Sequence, residues 1–218
     1  MTMKFKEMNL PNKLTTIRMF CVPLMVALFV LNMLFTKLNV PCDYVVFSFD
    51  AHTYLHLSQI LMALLFAFAS ITDFVDGYLA RKHNLVSDYG KLMDPLADKL
   101  LVNTTIVAMM ASGMFLIGQQ SFITFEIVAI IMSIVVVARD IFVDALRMQA
   151  LKKNAVVAAT IWGKLKTATL MPGVVFMLLG SLHMIVFAIG LTLMTLGGLF
   201  ALVGGAKYYK DLSAYIED

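Results

Sequence analysis

Charge is what this chain has least of. Only 14% of its 218 residues are Asp, Glu, Lys or Arg, where an ordinary soluble domain carries about a quarter. Hydrophobic residues make up 61%. That balance excludes a soluble domain of ordinary composition and points to an integral membrane protein. Cysteine is equally scarce. Cys21 lies in an apolar run and Cys42 in a polar connection, with no zinc-like or redox spacing, so no disulfide is expected. The opening MTMKFKEMNLPNKLTTIR has no short apolar core followed by a small-residue cleavage site, so no removable signal peptide is expected. The single tryptophan, Trp162, reads as an interfacial anchor.

What is present is grease in six blocks. A hydrocarbon core about 30 Å thick needs about 20 helical residues. Apolar segments fall at residues 16–35, 54–80, 95–117, 122–145, 165–182 and 184–206. All six should be helices, because lipid offers a bare backbone no hydrogen-bond partners. The expectation is therefore an all-α integral membrane protein with six transmembrane helices, one domain over 1–218. The connection 36–53, with Pro41, Asp43 and Asp50, is the one sizeable link between the first two segments and has room for a short extra element. Six alternating spans put both termini on one side. Of 17 Lys and Arg, all but Lys37 then fall on that side, so both termini are expected in the cytoplasm. The same face should attract anionic headgroups.

Against this background one stretch stands out: ITDFVDGYLARKHNLVSDYGKLMDPLADKL, residues 71–100, with Asp73, Asp76, Asp88, Asp94 and Asp98. Asp73 and Asp76 are spaced i,i+3 and share a helical face, which Gly77 and Ala80 continue without bulk. Asp94 and Asp98, spaced i,i+4, share another, and Pro95 suits a helix start or a kink. The short loop between them makes the second and third segments antiparallel neighbours, so four carboxylates can converge. An unpaired Asp near lipid costs roughly 2.5–3.5 kcal/mol. Oxygen-only ligands favour a hard cation, Mg²⁺ or Mn²⁺ or Ca²⁺, and four carboxylates suffice for two ions, an arrangement suited to phosphoryl displacement. Asp88 reads as a solvated or locally paired acid.

The string Asp73-x2-Asp76-Gly77-x2-Ala80-Arg81-x8-Gly90-x3-Asp94-x3-Asp98 fixes eight positions over 26 residues. It resembles the signature of the CDP-alcohol phosphatidyltransferases, and the resemblance extends to most of the chain. It implies the CDP-alcohol phosphotransferase fold. It also implies that Asp73, Asp76, Asp94 and Asp98 bind two Mg²⁺ or Mn²⁺ ions and that Asp98 is the catalytic base. Gly77, Ala80, Arg81, Ser87 and Gly90 would lie against the CDP-diacylglycerol headgroup. The N-terminal LPNKLTTIR is similar to a family segment that helps hold the nucleotide, which would give Asn12 and Thr15 that role, with Arg18 one turn on. Asn12 also reads as a simple N-cap.

A second polar cluster, ARDIFVDALRMQALKK and WGKLKTATLM, holds Arg139, Asp140, Arg147, Lys164 and Lys166. Arg139 sits deep in an apolar run, where a role beyond anchoring is expected. Guanidinium forks match phosphate oxygens. Ala138-Arg139, Leu146-Arg147 and Gly163-Lys164-x-Lys166-Thr167 resemble the glycerol-3-phosphate-using branch of the family, with Asp140 where glutamate is usual, about one methylene shorter in reach. The implied reaction moves the phosphatidyl group to glycerol 3-phosphate bound by Arg139, Arg147, Lys164 and Lys166. Implied surroundings are membrane lipids, a homodimer, no nucleic acid, and a bacterial-type inner membrane with the site facing the cytoplasm.

Other readings exist. The same chemistry could serve inositol phosphate, serine or phosphatidylglycerol. Intramembrane acids could mark a cation transporter, but transporters place them near the midplane and often carry inverted repeats, and the chain shows no internal repeat. A non-catalytic scaffold would leave the carboxylates unexplained. Glycines 197, 198, 204 and 205 suit close helix packing, within the chain or between subunits.

Overall fold

The computed structural model describes residues 9–38, 45–48, 54–82, 88–114, 123–152 and 160–216. It divides into two compact units, Met1–Ser112 and Gly113–Asp218.

The first unit is organised by α1, Leu10–Leu38. Helices α2, Leu57–Lys82, and α3, Asp88–Ser112, both pack chiefly on α1 and only slightly on each other. A single buried stripe of α1 makes this possible: Asn12, Thr15, Arg18, Cys21, Met25, Phe29 and Asn32. Steps of three and four residues keep all seven on one face. The stripe is polar over its first two turns and apolar below, with Asn32 Nδ2 donating to Ser58 Oγ of α2 at 2.8 Å near its end. The opposite face is open and apolar, as at Phe20, which is 71% exposed. Open apolar faces of this kind suit lipid rather than water. Cys21 is a free, buried thiol; Cys42 lies outside the described residues.

Two expectations need correction here. Helix α1 begins at Leu10, and Lys13 N donates to the Asn9 carbonyl at 3.0 Å, so Asn12 lies inside the first turn and is not the N-cap. Helix α3 begins at Asp88, so Asp94 and Pro95 lie inside it and not at its start. An acid at the first helical position complements the macrodipole, and Pro95 removes only one interior bond, to Lys91. The connection 36–53 holds the short extra element for which it has room. Strands β1, Val45–Ser48, and β2, Tyr54–His56, pair antiparallel with Phe47 opposite Leu55 and an irregularity between Val45 and Phe47. β-Branched and aromatic residues in this stretch favour extended backbone. His56 N then donates to Gln59 Oε1 at 3.1 Å, tying β2 to the start of α2.

At the far end of α3, Gly113 adopts φ 70°, a left-handed conformation that glycine tolerates at a helix C-terminus.

The second unit holds α4, Ile123–Lys152; α5, Ile161–Leu178; a short 3₁₀ turn, Gly180–Leu182; and α6, Met184–Ile216. Helix α6 packs along both α5 and α4. Its buried face reads Phe187, Gly190, Leu191, Met194, Gly197, Gly198, Ala201, Gly204, Gly205 and Tyr208, again in steps of three and four. The glycines are used within the chain. A Cβ on Gly190 would stand 2.8 Å from Met177 N, and one on Gly198 would stand 2.8 Å from Met132 Sδ. Helix α5 is capped by Thr160, whose Oγ1 accepts from Gly163 N at 3.3 Å.

Helices α4 and α6 extend past their apolar segments, to Lys152 and Ile216. Hydropathy marks where lipid ends, whereas helix ends are set by capping and packing. Among the described residues, three stretches are long and apolar enough to cross a membrane by length and composition: Asn12–Leu38, Leu57–Val75 and Met184–Asp211.

Candidate active site

In the first unit, α1 presents its polar turns to both aspartate-bearing helices. Thr15 and Arg18 are spaced i,i+3 and point the same way. Thr15 Oγ1 donates to Asp94 Oδ1 on α3. Arg18 Nη1 donates to Asp73 Oδ1 on α2. Arg18 is 1% exposed and Thr15 is fully buried, whereas Asp73 keeps 30% of its side chain open. Asp94 and Asp98 are half-buried, and Asp98 Oδ1 is shut off from solvent. Asn12 is buried one turn before Thr15.

Gly77 lies half-buried one turn after Asp73 on α2. Asp76, Ala80 and Arg81 belong to the same helix and Gly90 to α3, but their side chains lie outside the described set, as does Ser87 altogether. The spacing read from sequence therefore places Asp73, Asp76, Gly77, Ala80 and Arg81 on one helix and Gly90, Asp94 and Asp98 on another. The structure ties Asp73 and Asp94 together through α1. Among the described residues, no three His, Cys, Asp or Glu converge in a ligand cluster.

The described acids suit a hard cation in charge and in donor type. Asp73 and Asp94 are tied to neighbouring positions of α1, and the buried Arg18 guanidinium already supplies a positive group between the helices. All donors are oxygens, which fits Mg²⁺ or Mn²⁺. Arg18 is the residue that sequence reading placed beside the site without giving it a task. Its signal was the 12-15-18 spacing on one helical face.

In the second unit, α4 carries Arg139, Asp140 and Arg147. Asp140, 2% exposed, accepts from Lys166 Nζ of α5 on both carboxylate oxygens at 2.5 Å. Arg139 Nη1 reaches the same carboxylate at 3.2 Å, and its Nε donates to the Ala201 carbonyl of α6 at 3.1 Å. Lys166 is thus a buried partner of Asp140, 8% exposed, while Lys164 stands exposed in the first turn of α5. Arg147 Nε donates to Tyr208 Oη at 3.3 Å, with the guanidinium carbon 5.8 Å from that ring's centroid. Sequence reading missed Tyr208 and Ala201, and read Gly204 and Gly205, which lie beside Arg139, only as close-packing positions. Their spacing with the stripe of α6 was the available signal. Trp162 stacks tilted near Phe200, ring centroids 6.0 Å apart.

Polar side chains gather on long apolar helices, with aspartates on two helices of the first unit and an arginine-bearing cluster in the second. The family model for CDP-alcohol phosphatidyltransferase matches residues 8–196, and the chain belongs to that family. Those residues include every aspartate of the string and both arginines of α4. Among curated relatives, the CDP-diacylglycerol–glycerol-3-phosphate 3-phosphatidyltransferase of Bacillus subtilis is 32% identical over 204 residues, 93% of this chain and 94% of the relative. The protein of the same name from Rickettsia bellii is 32% identical over 217 residues, 98% of this chain and 99% of the relative. That from Mycoplasma pneumoniae is 36% identical over 167 residues, 77% of this chain, which spans 66% of that longer relative. With its apolar helices and this family membership, the chain is an integral membrane protein.

Proposed function

We propose that this protein transfers the phosphatidyl group of CDP-diacylglycerol to glycerol 3-phosphate, giving phosphatidylglycerol phosphate and CMP. The observation that carries this reading is its similarity, over nearly its whole length, to relatives bearing that activity in their names.

The residues divide the work. Asn12, Thr15, Gly77, Ala80, Arg81, Ser87 and Gly90 receive the CDP headgroup, with small residues admitting it close to the backbone. Mg²⁺ or Mn²⁺, two ions held by Asp73, Asp76, Asp94 and Asp98, would neutralise the diphosphate charge and that of departing CMP. Arg139, Arg147 and Lys164 hold the phosphate of the acceptor, with Lys166 acting through Asp140. Asp98 takes the proton from the acceptor's primary hydroxyl. The oxygen then forms a bond to the lipid-side phosphorus as the bond to CMP breaks, and CMP leaves with the electron pair. The protein works as a homodimer of six-span subunits in a bacterial-type inner membrane, with both termini and the site on the cytoplasmic side, where the positive residues gather.

The deciding experiment supplies purified protein with CDP-diacylglycerol and, separately, glycerol 3-phosphate, inositol phosphate, serine or phosphatidylglycerol, and follows CMP release with and without EDTA. CMP release that depends on glycerol 3-phosphate supports the reading. Release with another alcohol alone would keep the chemistry and replace the acceptor. A shift of that kind has one structural motive, the shorter Asp140 where glutamate is usual.

A further inference from the structure

The buried face of α6 does more than fill space at its far end. Ala201, Gly204, Gly205 and Tyr208 stand at i, i+3, i+4 and i+7, all buried. Each meets an arginine of α4. The Ala201 carbonyl accepts from Arg139 Nε. A Cβ on Gly204 would stand 3.3 Å from Arg139 Nη2, and one on Gly205 would stand 3.2 Å from Arg139 Cγ. Tyr208 holds Arg147 through its hydroxyl and its ring face. Arg139 and Arg147 are eight residues apart on α4 and have long, flexible stems. An unheld arginine side chain loses rotamer freedom on binding a phosphate. Two side chains already fixed by a neighbouring helix have lost most of it in advance.

We propose that Gly205 and Tyr208 are positioning residues for the acceptor's phosphomonoester: α6 is a rail that sets the two guanidinium groups at a fixed separation to receive a dianion. The glycine gives Arg139 a seat that any side chain would fill, and the tyrosine fixes Arg147 by one hydrogen bond and one cation–π contact. The inference rests on the reading that Arg139 and Arg147 bind that phosphate.

The test measures CMP release against glycerol 3-phosphate and, in separate series, against CDP-diacylglycerol. Tyr208→Phe keeps the ring and removes the hydroxyl. It should raise KM for glycerol 3-phosphate by about 3- to 10-fold, the range expected for one lost hydrogen bond, with kcat and the KM for CDP-diacylglycerol within about twofold. Gly205→Ala, which disturbs the other arginine from a different position, should show the same split. In an Arg147→Ala background, adding Tyr208→Phe should change nothing further, since Tyr208 acts through Arg147. A normal KM in both Tyr208→Phe and Gly205→Ala, beside a raised KM in Arg147→Ala, overturns the positioning role and leaves the acceptor site standing. An additive effect of Tyr208→Phe on Arg147→Ala also overturns it. A normal KM in Arg147→Ala removes the acceptor site and the inference together.

Discussion

Arg18 of α1 and Asp73 of α2, 55 positions apart in sequence, form an ion pair whose arginine is 1% exposed. The pair joins two helices at the level where the chemistry is expected. One partner is a residue the family signature relies on, the other a residue it does not include.

Removing Arg18 should therefore loosen the unit before it touches turnover. Arg18→Met leaves a charged Asp73 beside Asp94 in a mostly buried setting. Breaking a fully buried pair costs about 3–5 kcal/mol, and the partial exposure of Asp73 brings the expected loss down to roughly 1–3 kcal/mol. A lower melting temperature in detergent without added divalent ion, partly restored in Arg18→Lys, is the expected outcome.

Asp98→Asn should fold like the wild type and lose nearly all CMP release, because the amide cannot accept the hydroxyl proton. Wild-type turnover in this variant would take the base role away from Asp98.

Chelation supplies a third check. EDTA should abolish turnover, and Mg²⁺ or Mn²⁺ should restore it. Binding of Mn²⁺ to the wild type, followed by electron paramagnetic resonance, should weaken by at least about tenfold in Asp94→Ala, the size of effect typical of a lost metal-site partner.

The second unit offers a test that separates stability from acceptor binding. Asp140 and Lys166 are both over nine-tenths buried and held at 2.5 Å. Asp140→Leu alone strands the ammonium and should cost about 3–5 kcal/mol. The double change Asp140→Leu with Lys166→Met should recover much of that stability while leaving Arg139 without its carboxylate partner. If KM for glycerol 3-phosphate then rises with stability restored, Asp140 also serves to aim Arg139.

Arg139→Ala should mainly raise KM for glycerol 3-phosphate. An unchanged KM would move the acceptor's phosphate elsewhere.

Much of this was legible from residue order because lipid simplifies the problem. Each apolar segment has helix at its heart, since nothing else satisfies a backbone in hydrocarbon. The spacing of Asp73 and Asp94 placed them on separate helices, as observed. What could not be read was which helices touch. The short link from α2 to α3 suggested a tight pair; among the described residues both lean on α1, whose buried stripe offers them polar partners in Thr15 and Arg18. Helix ends such as Asp88 were missed because polar turns continue a helix beyond the apolar signal. The partners of Arg139 and Arg147 were invisible for another reason: glycine, alanine and tyrosine in a greasy run announce packing, and only the fold shows that what they pack against is charged.

The length of α6 has a consequence of its own. It runs 33 residues from Met184 to Ile216, about 50 Å at 1.5 Å per residue. Crossing a hydrocarbon core takes about 20 helical residues, so α6 is longer than a crossing requires. For the proposed function those surplus turns would let one rigid helix reach from the acyl layer into the ester and phosphate zone, where a water-borne glycerol phosphate and a membrane-borne nucleotide lipid would meet.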